Sequence, residues 1–505
     1  MVLEGNPLTI EQIVRVACQG EQVTLSEVAK ERMSRCRHVV EQVVKAGLRA
    51  YGINTGFGKL CDVSIPPEKI EALQENLIRS HSCSVDVPLS EDEVRAAMLL
   101  RANALARAMS GVRVEVVEKI LELLNRRVTP VVPSRGSVGA SGDLAPLAHI
   151  ALVLMGEGQA CVDGRLVPAA EALGRQGIVP LKLSAKEGLA LINGVQVSTA
   201  ILALTVWDAS RLADAADVVA ALSGQALNVI PDAFDERIVS ARPYPGARIV
   251  ASHVRALLEG SALTSRAGET HVQDAYSLRC VPQVHGAVRD TIEHARKTVE
   301  IESGSSTDNP LIFEDGRVVS GGNFHGQPVA FAADFLSMGL TTLMNISERR
   351  ISRMLNPDES GLPAFLARNS GLESGYMLLQ YTAAGLCAEA RVLCSPASVQ
   401  SIPTSANQED HVSMSATAAL KCRKILEYLA HVLAIEYVVA CQALEYRGVE
   451  KIAPLSMKAY QKLRERVPPL VGDRVPVPDV EEARKIIVSG DLLRAIQEAG
   501  CSTWY

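Results

Sequence analysis

Apolar residues recur at helical spacing along most of the chain, broken by short polar and glycine-rich runs. The longest unbroken stretch, 415–447, contains neither Gly nor Pro, and Leu426, Leu429, Leu433, Tyr437 and Ala440 share one helical face. At the helical rise it predicts a rod of roughly 50 Å. Similar segments occupy about 197–223 and 328–355, and the near-continuous apolarity of the first predicts a helix surrounded by other helices. Before residue 200 the pattern is choppier. Thr9-x-x-Gln12 and Ser90-x-x-Glu93 are capping-box starts, the second launching a helix that Gly111 can stop. Residues 129–143, with Pro130, Pro133, Gly136, Gly139 and Gly142, read as loop. The expected architecture is mainly α: an irregular N-terminal domain over 1–200 and an elongated bundle of long helices over 201–505.

Composition sharpens this picture. Hydrophobic residues make up 48% of the 505 but aromatics only 4%, so the core must be Leu, Val, Ile and Ala, which favours packed helices over β-sandwiches. A net charge of −6 gives no reason to expect nucleic acid or an anionic membrane surface as a partner. Eleven cysteines, without a CxxC pair, read as the reduced thiols of a cytoplasmic protein. Met1-Val-Leu-Glu-Gly-Asn-Pro lacks a basic region followed by an apolar stretch, so no signal peptide is expected. The most apolar stretches carry charges, such as Asp208, Arg211, Asp214 and Asp217, so none reads as a membrane span.

The polar islands are where chemistry is to be sought. Tyr51-Gly-Ile-Asn-Thr-Gly-Phe-Gly58 is a glycine-rich loop led by a tyrosine, without the spacing of a phosphate-binding loop. Its phenol can act as a base only if positive surroundings depress its pKa. His81, in Arg79-Ser-His-Ser82, is either a surface or capping residue or a site group, and Asn193 is either a turn residue or a ligand. Tyr276 and Arg279 lie three apart in Val272-Gln-Asp-Ala-Tyr-Ser-Leu-Arg279; the guanidinium suits either a carboxylate ligand or a surface ion pair. Gly321-Gly-Asn-Phe-His-Gly326 opens a helix, and Asn407-Gln-Glu-Asp-His411 precedes the longest one. That last cluster lacks the spacing of a recognised zinc site, and no metal is expected.

Gly136-Ser-Val-Gly-Ala-Ser-Gly-Asp-Leu-Ala-Pro-Leu-Ala-His149 is the most informative run. If the Gly142 nitrogen attacks the Ala140 carbonyl and Ser141 loses its hydroxyl as water, the Ser141 Cβ becomes a methylidene conjugated with a new ring, a strong electrophile. Asp143 and Pro146 fit the first turn of a helix continued by Leu144, Leu147, Ala148 and Ala151, so the triad would stand at its positive end. Alone, Ala-Ser-Gly reads as a loop before an ordinary helix, and the case for the electrophile rests on what surrounds it.

Taken with the other islands, this run closely resembles the signature of the aromatic amino acid ammonia-lyase family, and the resemblance extends over nearly the whole chain. It implies that Ala140, Ser141 and Gly142 cyclise autocatalytically to a methylidene-imidazolone (MIO), with no dissociable cofactor. It also implies a mainly helical homotetramer whose active sites are shared between subunits. By the same resemblance Tyr51 takes the substrate β-proton, and Arg279 holds the carboxylate with help from Asn193. Tyr276 and Gln273 support the prosthetic group and the amine, Phe324 shapes the pocket, and Asp143 orients the triad. Family members acting on different amino acids differ after the Asn-Leu-Ile-Arg helix, where this chain has Ser80-His81, and at the position of Glu409. Both choices resemble those of members acting on histidine, and a carboxylate facing the ring suits an imidazole N–H. The expected reaction is deamination of L-histidine to trans-urocanate and ammonia, the first step of histidine degradation. The alternatives are a tyrosine or phenylalanine ammonia-lyase, an aminomutase, a fumarase-type lyase suggested by Gly304-Ser-Ser306, and an inactive helical scaffold.

Overall fold

The computed structural model describes residues 1–500 and contains twenty α-helices and nine short strands among them. Both capping boxes form: the Thr9 and Ser90 hydroxyls accept from the backbone three residues on, and Gln12 and Glu93 reach back. The long segments become the helices Gln196–Ala226, Gln327–Leu355 and Ser415–Arg447. The helix launched by Ser90 runs over Glu91–Ala106 and ends before Gly111. Ala108 already has φ +63°, and Gly111 serves packing instead: a Cβ there would lie 2.4 Å from Val40 Cγ2 and 2.5 Å from Ile312 Cδ1.

The chain forms two compact units. The first contains 1–207, 295–334 and 396–420; the second contains 208–294, 335–395 and everything described from 421 onward. The boundary expected near residue 200 is thus only the first of five passages between them, and segments 295–334 and 396–420 return to the first unit. Four passages fall inside helices: Gln196–Ala226, Val281–Ser303, Gln327–Leu355 and Ser415–Arg447.

The named strands, of two to four residues each, all belong to the first unit. Val2–Leu3 pairs in parallel with Thr24–Leu25, and Val85–Pro88 lies antiparallel to Pro133–Arg135. Thr129–Pro130, Gln159–Val162 and Arg165–Pro168 form an antiparallel ribbon. Such fragments tie loops together rather than build a core.

Among its described residues the second unit's named elements are all helical. At its centre the fully buried Glu436 accepts from Arg350 Nε at 2.6 Å and Nη2 at 2.9 Å, from Ser223 Oγ at 2.7 Å and from Ser347 Oγ at 2.5 Å. Arg350 Nη1 also donates to the Ser277 carbonyl at 3.3 Å, inside the short helix Tyr276–Arg279. Two helices, Gln327–Leu355 and Ser415–Arg447, are long and apolar enough to cross a membrane, although none was expected; 67% and 83% of their most apolar windows are buried within the protein.

Candidate active site

The starts of three helices converge on the Ala140-Ser141-Gly142 turn. Asp143 immediately precedes Leu144–Leu154, and its amide donates to the Gly194 carbonyl at 2.7 Å, while Gly142 and Gly194 pair as a parallel bridge. Gly194 leads into Gln196–Ala226, whose first turn is capped from outside: the Asp143 carboxylate accepts from Ser198 N at 2.7 Å and Ser198 Oγ at 2.6 Å. Ser198 Oγ also lies 3.1 Å from Ser415 Oγ, at the head of Ser415–Arg447, and Met414 N donates to the Val138 carbonyl at 2.9 Å. Unpaired N–H groups at helix starts carry partial positive charge, so the turn sits in an electropositive setting. Burial pushes the Asp143 carboxyl above its ordinary value, with the Ser198 and Ser137 donors pulling it back.

This turn fits the prosthetic group that the sequence implies. Gly142 has φ +76°, and a Cβ on it would lie 2.2 Å from the Gly194 oxygen, so no other residue can occupy the position. Gly194 is equally confined, a Cβ there falling 2.3 Å from Thr307 Oγ1 and 2.4 Å from Arg101 Nη2. Ser137 Oγ lies 3.3 Å from both the Gly142 carbonyl and Asp143 Oδ1, bracing the far side of the turn. Ala140 and Ser141 are left facing open space.

That space is a cavity of about 1100 Å³, lined by Ala140 and Ser141 together with Tyr51, His81, Asn193, Phe324 and Glu409. These residues come from separate stretches of the first unit. Glu409 is presented by a tight loop: Thr404 N donates to the Glu409 carbonyl at 2.9 Å and Thr404 Oγ1 to its Oε2 at 2.8 Å. Between them Ser405, Ala406 and Asn407 all have positive φ (50°, 52°, 64°), a strained path that holds the carboxylate toward the cavity. The Tyr51 loop packs on this one, because Gly58 (φ +54°) leaves room for Ser405 Oγ, which would sit 2.7 Å from a Cβ. His81 ends the helix Ile70–His81, with Ser80 Oγ 3.0 Å from its Nδ1. Burial lowers the His81 pKa, opposed by the Leu77 carbonyl and the negative charge of Glu409.

Two expectations meet a different geometry. Burial raises the Tyr51 phenol above its ordinary value; the Gly58 N–H opposes this, while Cys61, Glu409 and Asp308 add to it. A base needs the opposite direction. Asn193 was expected to help hold a carboxylate, yet its Nδ2 donates to Asp308 Oδ1 at 3.1 Å and to the Asn309 carbonyl at 3.2 Å, leaving no N–H to offer. Gln273, Tyr276 and Arg279 belong to the second unit and are not among the residues lining this cavity. There Tyr276 is 70% exposed, with the Arg279 guanidinium 4.5 Å from its ring centroid, as their spacing of three predicts.

Several site residues escaped the sequence reading. His325 and His411 both line the cavity and stack with centroids 5.6 Å apart; each stood in a noticed island but without a role. Lys186 and Arg101, which flank Asn193, stood in no motif, and Asp308 stood only in the run after Gly304-Ser-Ser306, without a role. Among the described residues no group of three or more His, Cys, Asp or Glu is arranged to hold a metal ion.

Residues 8–465 match the model of the aromatic amino acid lyase family. Histidine ammonia-lyase of Caldanaerobacter subterraneus subsp. tengcongensis is 54% identical over 501 residues, covering 99% of each chain. Among solved structures, tyrosine aminomutase from Streptomyces globisporus superposes with a TM-score of 0.95 at 38% identity, over 99% of this chain and 98% of that one. Histidine ammonia-lyase from Trypanosoma cruzi superposes with a TM-score of 0.91 at 41% identity, over 98% and 95%. The chain belongs to the aromatic amino acid lyase family.

Proposed function

We propose that this chain is a carbon–nitrogen lyase that removes ammonia from L-histidine to leave trans-urocanate. The observation that carries the substrate is the placement of Glu409 and His81 on the cavity that also exposes Ser141. Glu409 has one oxygen engaged by Thr404, and the rest of the carboxylate is free to accept from an imidazole N–H. A benzene ring would leave that carboxylate desolvated against carbon, at a cost of about 1–3 kcal/mol or more. The likeness to histidine ammonia-lyases at 54% and 41% identity supports the same reading.

Ala140, Ser141 and Gly142 would carry the MIO, which supplies the electrophile that turns a poor nitrogen leaving group into a good one. The surrounding residues have separable duties. Glu409 and His81 orient the ring, and Phe324 shapes the cavity beside it. Tyr51 receives the β-proton at its phenolic oxygen. Its raised pKa within one chain requires a neighbouring cation, and the reading assigns this to the partner subunit's Arg279 in a homotetramer with shared sites. The exposed Tyr276 and its stacked Arg279 support that assignment. Eight of the described cysteines, Cys36 and Cys441 among them, are free thiols, which supports a reducing, cytoplasmic location.

The test combines intact mass with product analysis. The unaltered chain should weigh two waters less than its sequence and should release ammonia and urocanate from histidine. Ser141→Ala should remain folded and lose turnover. Equal turnover of tyrosine and histidine would overturn the assigned roles of His81 and Glu409, and accumulation of a β-amino acid would point to the aminomutase reaction. Mixing Tyr51→Phe with Arg279→Met protein should restore activity if sites are shared.

A further inference from the structure

Behind Asn193, which lines the cavity, lies a buried ion pair. Lys186 and Asp308 are 0% and 2% exposed, and Lys186 Nζ meets Asp308 Oδ2 at 2.5 Å. Lys186 has φ +74°, a conformation that costs a non-glycine residue energy and persists only where its surroundings enforce it. A buried pair of this kind is weak as a source of stability, so its position calls for a functional explanation.

The pair acts on Asn193. Asp308 gives its second oxygen to Asn193 Nδ2, and the Asn309 carbonyl accepts from the same atom. Two acceptors flank one end of this amide, and neither can donate. Chemistry therefore dictates that this end is nitrogen and the other is oxygen. Arg101 fixes the backbone of the same residue, donating to the Ala190 and Asn193 carbonyls at 3.0 Å each, with Gln196 Oε1 as its third partner. What remains is Asn193 Oδ1: buried, without a hydrogen-bond partner, on a residue that lines the cavity. A buried unpaired acceptor is costly unless a donor arrives.

We propose that the Lys186–Asp308 pair is a positioning device that locks Asn193 with its carbonyl oxygen toward the substrate, to accept from the amine of the bound amino acid. This rests on the amino-acid lyase reading above. The substrate carboxylate has only acceptors and is repelled by that oxygen, and the ring N–H is taken by Glu409. The α-amine is the donor left over. Asp308 and Lys186 are thus positioning residues, and Asn193 touches the substrate.

Asp308→Asn tests the lock at nearly constant shape. The introduced amide has a single acceptor, which goes to the Lys186 cation, so its NH2 faces Asn193 and turns that residue's amide over. Binding to the intact protein is measured by calorimetry with two probes. Histamine keeps the amine and lacks the carboxylate; 3-(imidazol-4-yl)propionate keeps the carboxylate and lacks the amine. Histamine should bind about 10- to 100-fold more weakly to Asp308→Asn, with the propionate changed less than about twofold. Asn193→Ala, which leaves the ion pair intact, should show the same split and covers the case in which Asp308→Asn does not fold. Equal loss for both probes, or a loss confined to the propionate, overturns the proposal. Failure of the unaltered protein to release ammonia from histidine would instead count against the reading it rests on.

Discussion

Replacing Arg350 by Met removes a cation from the centre of the second unit while keeping much of its bulk. Glu436 would then remain fully buried with only Ser223 and Ser347 as donors, having lost the bidentate contact at 2.6 and 2.9 Å. Breaking a buried pair from one side leaves an uncompensated charge, and the expected cost is about 3–5 kcal/mol. The double variant Arg350→Met/Glu436→Leu removes the stranded charge as well, and the two serine hydroxyls can turn to carbonyls four residues back in their helices. It should therefore recover most of the loss. Denaturant midpoints followed by circular dichroism measure both, and Glu436→Leu alone completes the cycle that isolates the coupling. The chain of contacts goes further, because Arg350 also holds the Ser277 carbonyl at 3.3 Å. The double variant should thus regain stability without regaining full kcat, since the turn bearing Tyr276 and Arg279 has lost its anchor. A single variant costing less than about 1 kcal/mol, or a double as unstable as the single, would refute this reasoning.

Other substitutions address the cavity and its pH response. Glu409→Gln should lower kcat/KM for histidine by about 10- to 100-fold while lowering that for phenylalanine far less, as steady-state comparison of both substrates will show. Gly142→Ala places a methyl 2.2 Å from the Gly194 oxygen, so its intact mass should show no loss of two waters; a normal mass deficit would contradict the fit. Burial pushes the Glu302 carboxyl from 4.5 up to about 7. A raised folded value means that its stability contribution is complete below 4.5 and lost as pH rises through 7. Glu302→Gln should accordingly match the parent near pH 5 and exceed its Tm near pH 8; a Tm difference independent of pH would exclude this cause.

The sequence made the long helices legible because nothing inside 415–447 can break one, and the helix is indeed Ser415–Arg447. Capping boxes were equally readable, being local. The end of the Ser90 helix was not, since Gly111 answers to Val40 and Ile312, far away in the chain. The cavity follows the same division. Motif residues such as Ser141 and Glu409 announced themselves in polar islands, and seven of the expected site residues line the cavity. Lys186 and Asp308 did not, because a buried pair separated by 122 positions has no local signature. The direction of the Tyr51 pKa was also illegible: it depends on burial and on Glu409, which only folding brings near.

The interleaving of the two units has a consequence for how the protein is made. Ser198 must wait for Ser415, 217 residues later, before the contact beneath the Ala-Ser-Gly turn can form. At a translation rate of about 5–20 residues per second, that interval is roughly 10–40 s. Throughout it, the start of Gln196–Ala226 has its Asp143 cap but lacks Ser415, and the first unit is without residues 396–420. If the proposed ring at Ala140-Ser141-Gly142 needs the completed first unit, its closure is a late event in biosynthesis, gated by the arrival of residues 396–420 rather than by synthesis of the triad itself.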